Sequence, residues 1–198
     1  MRDGVRALSW NQQNTLASGA TDGRILIYER NISSSPTLVF GDSEDAIYAL
    51  SWFPDNRRLL SVSENLDLWN VPTATKLASW RCGDGSQLQG AVSPDGKVIV
   101  GGRAPCVWDV VTRQLIRRLE VADGETISRF VWHPNSRWIT SYSYETSVNA
   151  IPKLRVWDVQ TGDILLEIPA PSMFFEWSPD GTTLAIAGHG ITLWRLSQ

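Results

Sequence analysis

The sequence predicts an all-β protein built from five repeated antiparallel sheets, and two observations carry this prediction. First, the same short elements recur about every forty residues along the 198-residue chain. Second, eight of its ten tryptophans occupy two fixed places in the repeat, at positions 10, 52, 132 and 177 and at positions 69, 108, 157 and 194. Short apolar stretches separated by turn residues at such a period are typical of sheet-forming repeats.

The most complete copy of the repeat lies at 153–168 and reads as a hairpin. Its first strand ends in Trp157-Asp158, Thr161-Gly162 forms the turn, and apolar residues then alternate with others along a second strand. Related stretches lie at 25–29, 66–71, 106–110 and 191–195.

A second recurring element precedes each hairpin. It consists of Trp or Val followed by a turn sequence, as in Trp177-Ser178-Pro179-Asp180-Gly181. Its copies begin at 10, 52, 92, 132 and 177, in steps of 42, 40, 40 and 45 residues. Four short strands per period of about forty residues are typical of the blade of a propeller.

At these residues the sequence resembles the WD-repeat β-propeller family, and the resemblance extends from Val5 to Leu196. It implies four-stranded antiparallel blades around an axis, with the tryptophans packed between neighbouring blades. Two features of the family are weak here. No repeat has Gly-His before its first strand, and only Asp22 clearly matches the turn Asp. We therefore expect no blade to assemble the family's buried Asp-His-Ser-Trp relay.

We predict one WD-repeat β-propeller domain over 1–198, with blades at 5–40, 46–80, 88–120, 127–168 and 173–198. The predicted strands, from the axis outwards, are 5–10, 15–20, 24–29 and 37–40; 46–52, 58–63, 66–69 and 77–80; 88–93, 97–102, 106–110 and 114–120; 127–132, 137–142, 154–159 and 163–168; and 173–178, 182–187 and 191–196. The last blade lacks its outer strand, which predicts an open arc or part of a seven-bladed ring. Three arrangements stay open: a fragment of a larger propeller, a closed five-blade ring, and a propeller completed by a second chain.

Composition and charge narrow the function. A net charge of −3 argues against a general nucleic-acid or anionic-membrane binder. No apolar stretch is long enough to span a membrane, and no signal peptide is visible at the start of the chain. We expect Cys82 and Cys106 to be free thiols, and the protein to be cytoplasmic or nuclear.

The motifs predict no enzyme, no cofactor and no metal site. The sequence contains neither a phosphate-binding glycine loop nor a nucleophile elbow, and its two histidines and two cysteines lack ligand spacing. We interpret His133 as a turn residue and His189 as a loop residue.

The remaining candidate is a binding surface for proteins or peptides. The connections between blades contain one base, Arg81, and six acids: Asp42, Glu44, Asp45, Asp84, Asp123 and Glu125. These connections could form an acidic rim that attracts a basic peptide, or they could be ordinary solvated loops. An insertion at 142–152 lengthens blade four, and it could be a loose loop or a binding loop. Nearby Trp138 could be a binding anchor or could pack on the next blade. The candidate partner-binding residues are Asp42, Glu44, Asp45, Asp84, Arg103, Asp123, Glu125, Trp138, Tyr142, Tyr144 and His189.

The sequence thus predicts a non-enzymatic scaffold or adaptor with a peptide-binding propeller face. Two other functions stay open. The chain could be a sensor or regulatory propeller of a larger signalling protein, or, with less support, a carbohydrate-binding propeller.

Overall fold

A computed structural model describes residues 4–29, 35–41, 45–83, 89–102, 104–145, 150–170, 172–188 and 190–195. Within these ranges the chain forms nineteen β-strands and no helix, so the all-β prediction is confirmed. The described residues therefore contain no helix that is long and apolar enough to cross a membrane.

The strands form five separate antiparallel sheets, which we number as blades in chain order. Blade one contains β1 (Val5–Trp10), β2 (Leu16–Ala20), β3 (Ile25–Tyr28) and β4 (Leu38–Phe40). Blade two contains β5 (Ala49–Trp52), β6 (Arg58–Val62), β7 (Leu66–Asn70) and β8 (Thr75–Trp80). Blade three contains β9 (Gly90–Val92), β10 (Val98–Gly101), β11 (Cys106–Asp109) and β12 (Leu115–Arg118).

Blade four is the longest of the five. It contains β13 (Glu125–Trp132), β14 (Trp138–Glu145), β15 (Lys153–Asp158) and β16 (Ile164–Pro169). Blade five has three strands among the described residues: β17 (Phe175–Trp177), β18 (Thr183–Ala187) and β19 (Ile191–Arg195).

The first strand of every blade is an edge strand, and these strands lie side by side around a common axis. Each sheet is ordered as its strands occur in the chain. Strand β1 contacts β5, β5 contacts β9, β9 contacts β13, and β13 contacts β17. The first strands therefore line a central channel, as the predicted propeller requires.

The core consists of four apolar clusters, one at each junction between consecutive blades. Trp69 packs with residues of blade one, Trp108 with residues of blade two and Trp157 with residues of blade three. Trp177 packs on residues of blade four. The repeated tryptophans thus bury large apolar surfaces between blades. The end blades differ, since Trp10 is 57% exposed and Trp194 is 43% exposed.

The turn between the first two strands of each blade has the same backbone geometry. One residue in each turn adopts a left-handed conformation with φ between 57° and 73°, and these residues are Asn14, Asn56, Gly96, Ser136 and Gly181. The preceding side chain supports this turn in four of the blades. In blade three, Asp95 accepts hydrogen bonds from the Lys97 N–H and the Ser93 hydroxyl. Asp55 and Asn135 each accept hydrogen bonds from two backbone N–H groups, while Asp180 accepts one from the Thr182 N–H and another from the Ser178 hydroxyl.

The acid of the Trp-Asp pair supports the turn after the third strand. In blade three, Asp109 accepts hydrogen bonds from the N–H groups of Val111 and Thr112. In blade four, Asp158 accepts from the N–H groups of Gln160 and Thr161. The pair therefore combines a buried tryptophan with a turn cap.

Part of the expected relay is present. Trp69 donates to the Ser61 hydroxyl at 2.9 Å, and Trp157 donates to the Ser141 hydroxyl at 2.8 Å. The Ser–Trp bond of the relay therefore forms in blades two and four, although no repeat has the Gly-His that precedes the first strand in the family.

The prediction of free thiols is wrong. Cys82, which follows β8, and Cys106, which begins β11, form a disulfide with a Cα–Cα distance of 5.9 Å. The two residues belong to neighbouring blades that pack face to face, and both are buried in the cluster between them. The packing of blade two on blade three therefore brings together two sulfur atoms whose residues lie in different repeats of the sequence.

Candidate functional site

The two ends of the propeller carry different connections. One end carries the segments that join consecutive blades and the turns between second and third strands, and we call it the loop face. The opposite end carries the turns after the first and third strands, and we call it the turn face.

The predicted acidic rim is only partly described. Asp45 and Asp123 are exposed on the loop face. Five of the candidates lie outside the described residues: Asp42, Glu44, Asp84, Arg103 and His189.

Glu125 does not contribute an exposed acid to this rim, which corrects its interpretation as a loop residue. It begins β13 and is only 9% exposed. Its carboxylate lies 2.7 Å from the Arg155 guanidinium and accepts a hydrogen bond from the Ser143 hydroxyl at 2.5 Å. Arg155 also donates to Glu167 at 2.6 Å. Glu125 therefore joins the first three strands of blade four through a buried ionic network.

The electrostatics of this network favour its charged form. Burial alone raises the pKa of Glu125, but the hydrogen bonds from Arg155 and Ser143 outweigh it and hold the pKa below the ordinary value. For Arg155, burial lowers the pKa, whereas the hydrogen bonds to Glu125 and Glu167 raise it by more. The network is a structural element of the blade.

The insertion in blade four is partly strand. Strands β13 and β14 pair from Trp132 with Ile139 to Glu125 with Glu145, so Tyr142 and Tyr144 lie on β14 and not in a loop. Both tyrosines are half-buried, and Tyr142 packs against the apolar cluster between blades four and five. Residues 146–149 lie outside the described ranges.

Trp138 is half-buried and packs against the same cluster. Its ring centroid lies 5.0 Å from that of His133, whose own ring lies 4.6 Å from that of Trp177. The Nε2 of His133 lies 2.8 Å from the Gly181 carbonyl oxygen of blade five. Trp138 and His133 are thus parts of the junction between blades, beyond the turn role predicted for His133.

A cavity lies in the central channel, and the repeat pattern of the sequence does not predict it. It has a volume of about 400 Å³ and is bordered by the first strands of blades one to four, with Arg6 and Arg129 among its residues. Nothing in the sequence distinguishes these two arginines from surface residues, because their position depends on how the strands are arranged around the axis.

The described part of the chain contains no candidate metal-binding cluster. There, no three side chains of His, Cys, Asp or Glu are grouped so that they could hold a metal ion.

Comparisons with known proteins agree with this fold. A chain in the crystal structure of the mitotic checkpoint complex superposes with a TM-score of 0.79, covering 96% of this chain and 63% of that chain at 20% identity. No family model matches the sequence.

Three curated relatives share part of the sequence. Aladin of Arabidopsis thaliana is 29% identical over 163 residues, which is 80% of this chain. The APC/C activator protein CDH1 of Saccharomyces cerevisiae is 25% identical over 97% of this chain. WD repeat-containing protein 43 of Homo sapiens is 30% identical over 54% of this chain.

The chain spans only 32%, 28% and 16% of these relatives' lengths, respectively. The shared region is nevertheless the repeated part of this chain. Five antiparallel sheets around an axis, the Trp-Asp turns and these partial matches together show a β-propeller fold that is similar to that of WD-repeat proteins.

Proposed function

We propose that the chain is a non-enzymatic interaction module that binds protein or peptide partners through its loop face. The observation that carries the proposal is the match of nearly the whole chain to two proteins of multi-protein assemblies. One is named as an APC/C activator, and the other belongs to a mitotic checkpoint complex. Fold alone does not specify function, so the type of partner is inferred from the charged residues of the loop face.

The charge of the loop face supports a basic peptide as the partner of its rim. Asp45 and Asp123 are exposed there, and Asp42, Glu44 and Asp84 occupy neighbouring connections in the sequence. Acids spread around one face accelerate the approach of a cationic segment more than they strengthen the bound complex.

The test is capture of partners from a cell extract on the immobilised chain, followed by mass spectrometry and by measurement of the association rate of each captured partner. Neutralising Asp42, Asp84 and Asp123 with Asn should slow association and weaken its dependence on salt. Asp163→Asn, which changes an exposed acid on the turn face, is the matched control and should have no effect. An association rate equal in both variants would overturn the basic-peptide proposal.

A second candidate is a partner chain that covers the end blades. Val5, Leu8 and Trp10 of β1 are 57–66% exposed, and Ile191 and Leu193 of β19 are 78% and 61% exposed. Large apolar residues grouped at an edge strand favour association with another chain. A concentration series by light scattering should then show association, which Leu8→Asp with Leu193→Asp should abolish; a monomer at every concentration would contradict the proposal.

The location that we propose is the cytoplasm or the nucleus. In either compartment, reducing conditions would act on the Cys82–Cys106 disulfide, because disulfides are uncommon there.

A further inference from the structure

The central channel contains two arginines without strong carboxylate partners. Arg6 forms no ion pair among the described residues, and its guanidinium carbon lies 5.4 Å above the Tyr48 ring. Among the described residues, Arg129 pairs with the exposed Glu176 at 4.0 Å, and its Nε is buried there without a hydrogen-bond partner. A buried donor without an acceptor is costly, so Arg129 is prepared to bind one.

The pairing of the first strand with the second shifts register at both arginines. The pairing of β1 with β2 shifts register between Val5 and Ala7, at Arg6. The pairing of β13 with β14 shifts between Ile127 and Arg129. The described first-strand pairs of blades two, three and five keep a continuous register. Bulges commonly redirect a side chain next to a functional site.

The cavity itself suits an anionic group on a chain segment. None of the described residues that border it is acidic, and Tyr48, Gln89 and the first-strand edges supply further polar groups. Its volume of about 400 Å³ lies within the range of sites for small ligands and short segments. Arg6 contacts the Tyr48 ring and forms no ion pair among the described residues, so its guanidinium can bind a carboxylate in a two-point geometry.

We infer that this channel binds an acidic peptide segment, whose Asp or Glu carboxylates are held by Arg6 and Arg129. The inference rests on the proposed role in binding proteins, but it does not depend on the rim acids. A long polyanion such as a nucleic acid is disfavoured, because it would extend beyond the two arginines over a chain whose net charge is −3.

The probe is a fluorescein-labelled heptapeptide of Gly, Asp and Glu, compared by anisotropy at low ionic strength with its Asn and Gln counterpart. We expect the acidic peptide to bind at least about tenfold more tightly than the amide peptide. Arg6→Gln and Arg129→Gln should each weaken the acidic peptide by about tenfold or more. Arg57→Gln, an exposed arginine on the turn face, is the matched control and should leave binding within about twofold.

Three results would overturn the inference. The first is equal affinity for the acidic and the amide peptide. The second is an equal loss of affinity in the channel variants and in Arg57→Gln. The third is displacement of the peptide by an equimolar concentration of inorganic phosphate, which would indicate a site for small anions. Melting temperatures equal to that of the unchanged protein establish that the channel variants fold. If partners are still captured from extract by Arg6→Gln and Arg129→Gln while no acidic peptide binds, the interaction role stands and the channel site falls.

Discussion

At the scale of single residues, the junction between blades four and five depends on the missing side chain of Gly181. This residue has φ +73°, and a Cβ placed on it would lie 2.5 Å from Cε1 and 2.6 Å from Nε2 of His133. Gly181→Ala should therefore lower the free energy of unfolding by about 2–4 kcal/mol, since it combines a left-handed backbone with a clash in a packed junction. Urea denaturation measures the loss.

Gly124→Ala is the matched control for this prediction. Gly124 has φ +80°, and a Cβ there would have no atom within 4 Å. Its loss should be limited to the backbone cost of about 1–2 kcal/mol. Equal losses in the two variants would mean that the His133 contact contributes nothing.

Individual residues also mark where sequence reasoning succeeds. A tryptophan or a Pro-Asp-Gly turn acts locally, and its repetition at a fixed interval predicts both the blade and the junction. The sequence predicts Glu125 in a connection between blades, because it follows the turn sequence Asp123-Gly124, whereas β13 in fact begins at Glu125. Only the facing Arg155 and Ser143, which are distant in sequence, explain why the acid turns inward.

At the scale of elements, the Cys82–Cys106 disulfide connects the outer end of blade two to the third strand of blade three. It closes a loop with a sequence separation of 24 residues, for which a crosslink stabilises the folded chain by about 3 kcal/mol. Reduction with dithiothreitol should lower the free energy of unfolding by that amount.

The control for the disulfide is the double variant Cys82→Ala with Cys106→Ala, whose stability should not respond to dithiothreitol. Mass spectrometry of alkylated thiols establishes that the unchanged protein has been reduced. If the fully reduced protein unfolds at the same urea concentration as the oxidised one, the disulfide does not stabilise the junction.

Elements also show what a repeat pattern leaves out. The pattern predicts strands within one blade, because their pairing partners are close in sequence. The disulfide, the lengthening of β13 and β14, and the register shifts beside Arg6 and Arg129 depend on packing between strands and blades. Such features have no period along the chain and become visible only in the folded protein.

At the scale of the whole molecule, the turn acids of three blades make stability depend on pH. The hydrogen bonds from Ser178 and Thr182 lower the pKa of Asp180 from 3.8 to about 2. For Asp55 and Asp95, burial raises the pKa, but hydrogen bonds from neighbouring turn residues outweigh it and hold the pKa below 3.8. At pH values between the lowered pKa of these carboxyls in the folded chain and their ordinary pKa of 3.8, the unfolded chain binds more protons than the folded one.

The protein should therefore keep this contribution to stability above about pH 4 and lose it progressively as the pH falls towards 2. Urea midpoints measured between pH 7 and 2 report the loss. The triple variant Asp55→Asn, Asp95→Asn and Asp180→Asn should make that dependence less steep without removing the turns, because Asn135 already accepts the equivalent backbone hydrogen bonds in blade four. Asp123→Asn, an exposed acid outside these turns, should leave the dependence unchanged. If the triple variant loses stability on acidification as steeply as the unchanged protein, the repeated turn carboxylates are not the groups that couple folding to pH.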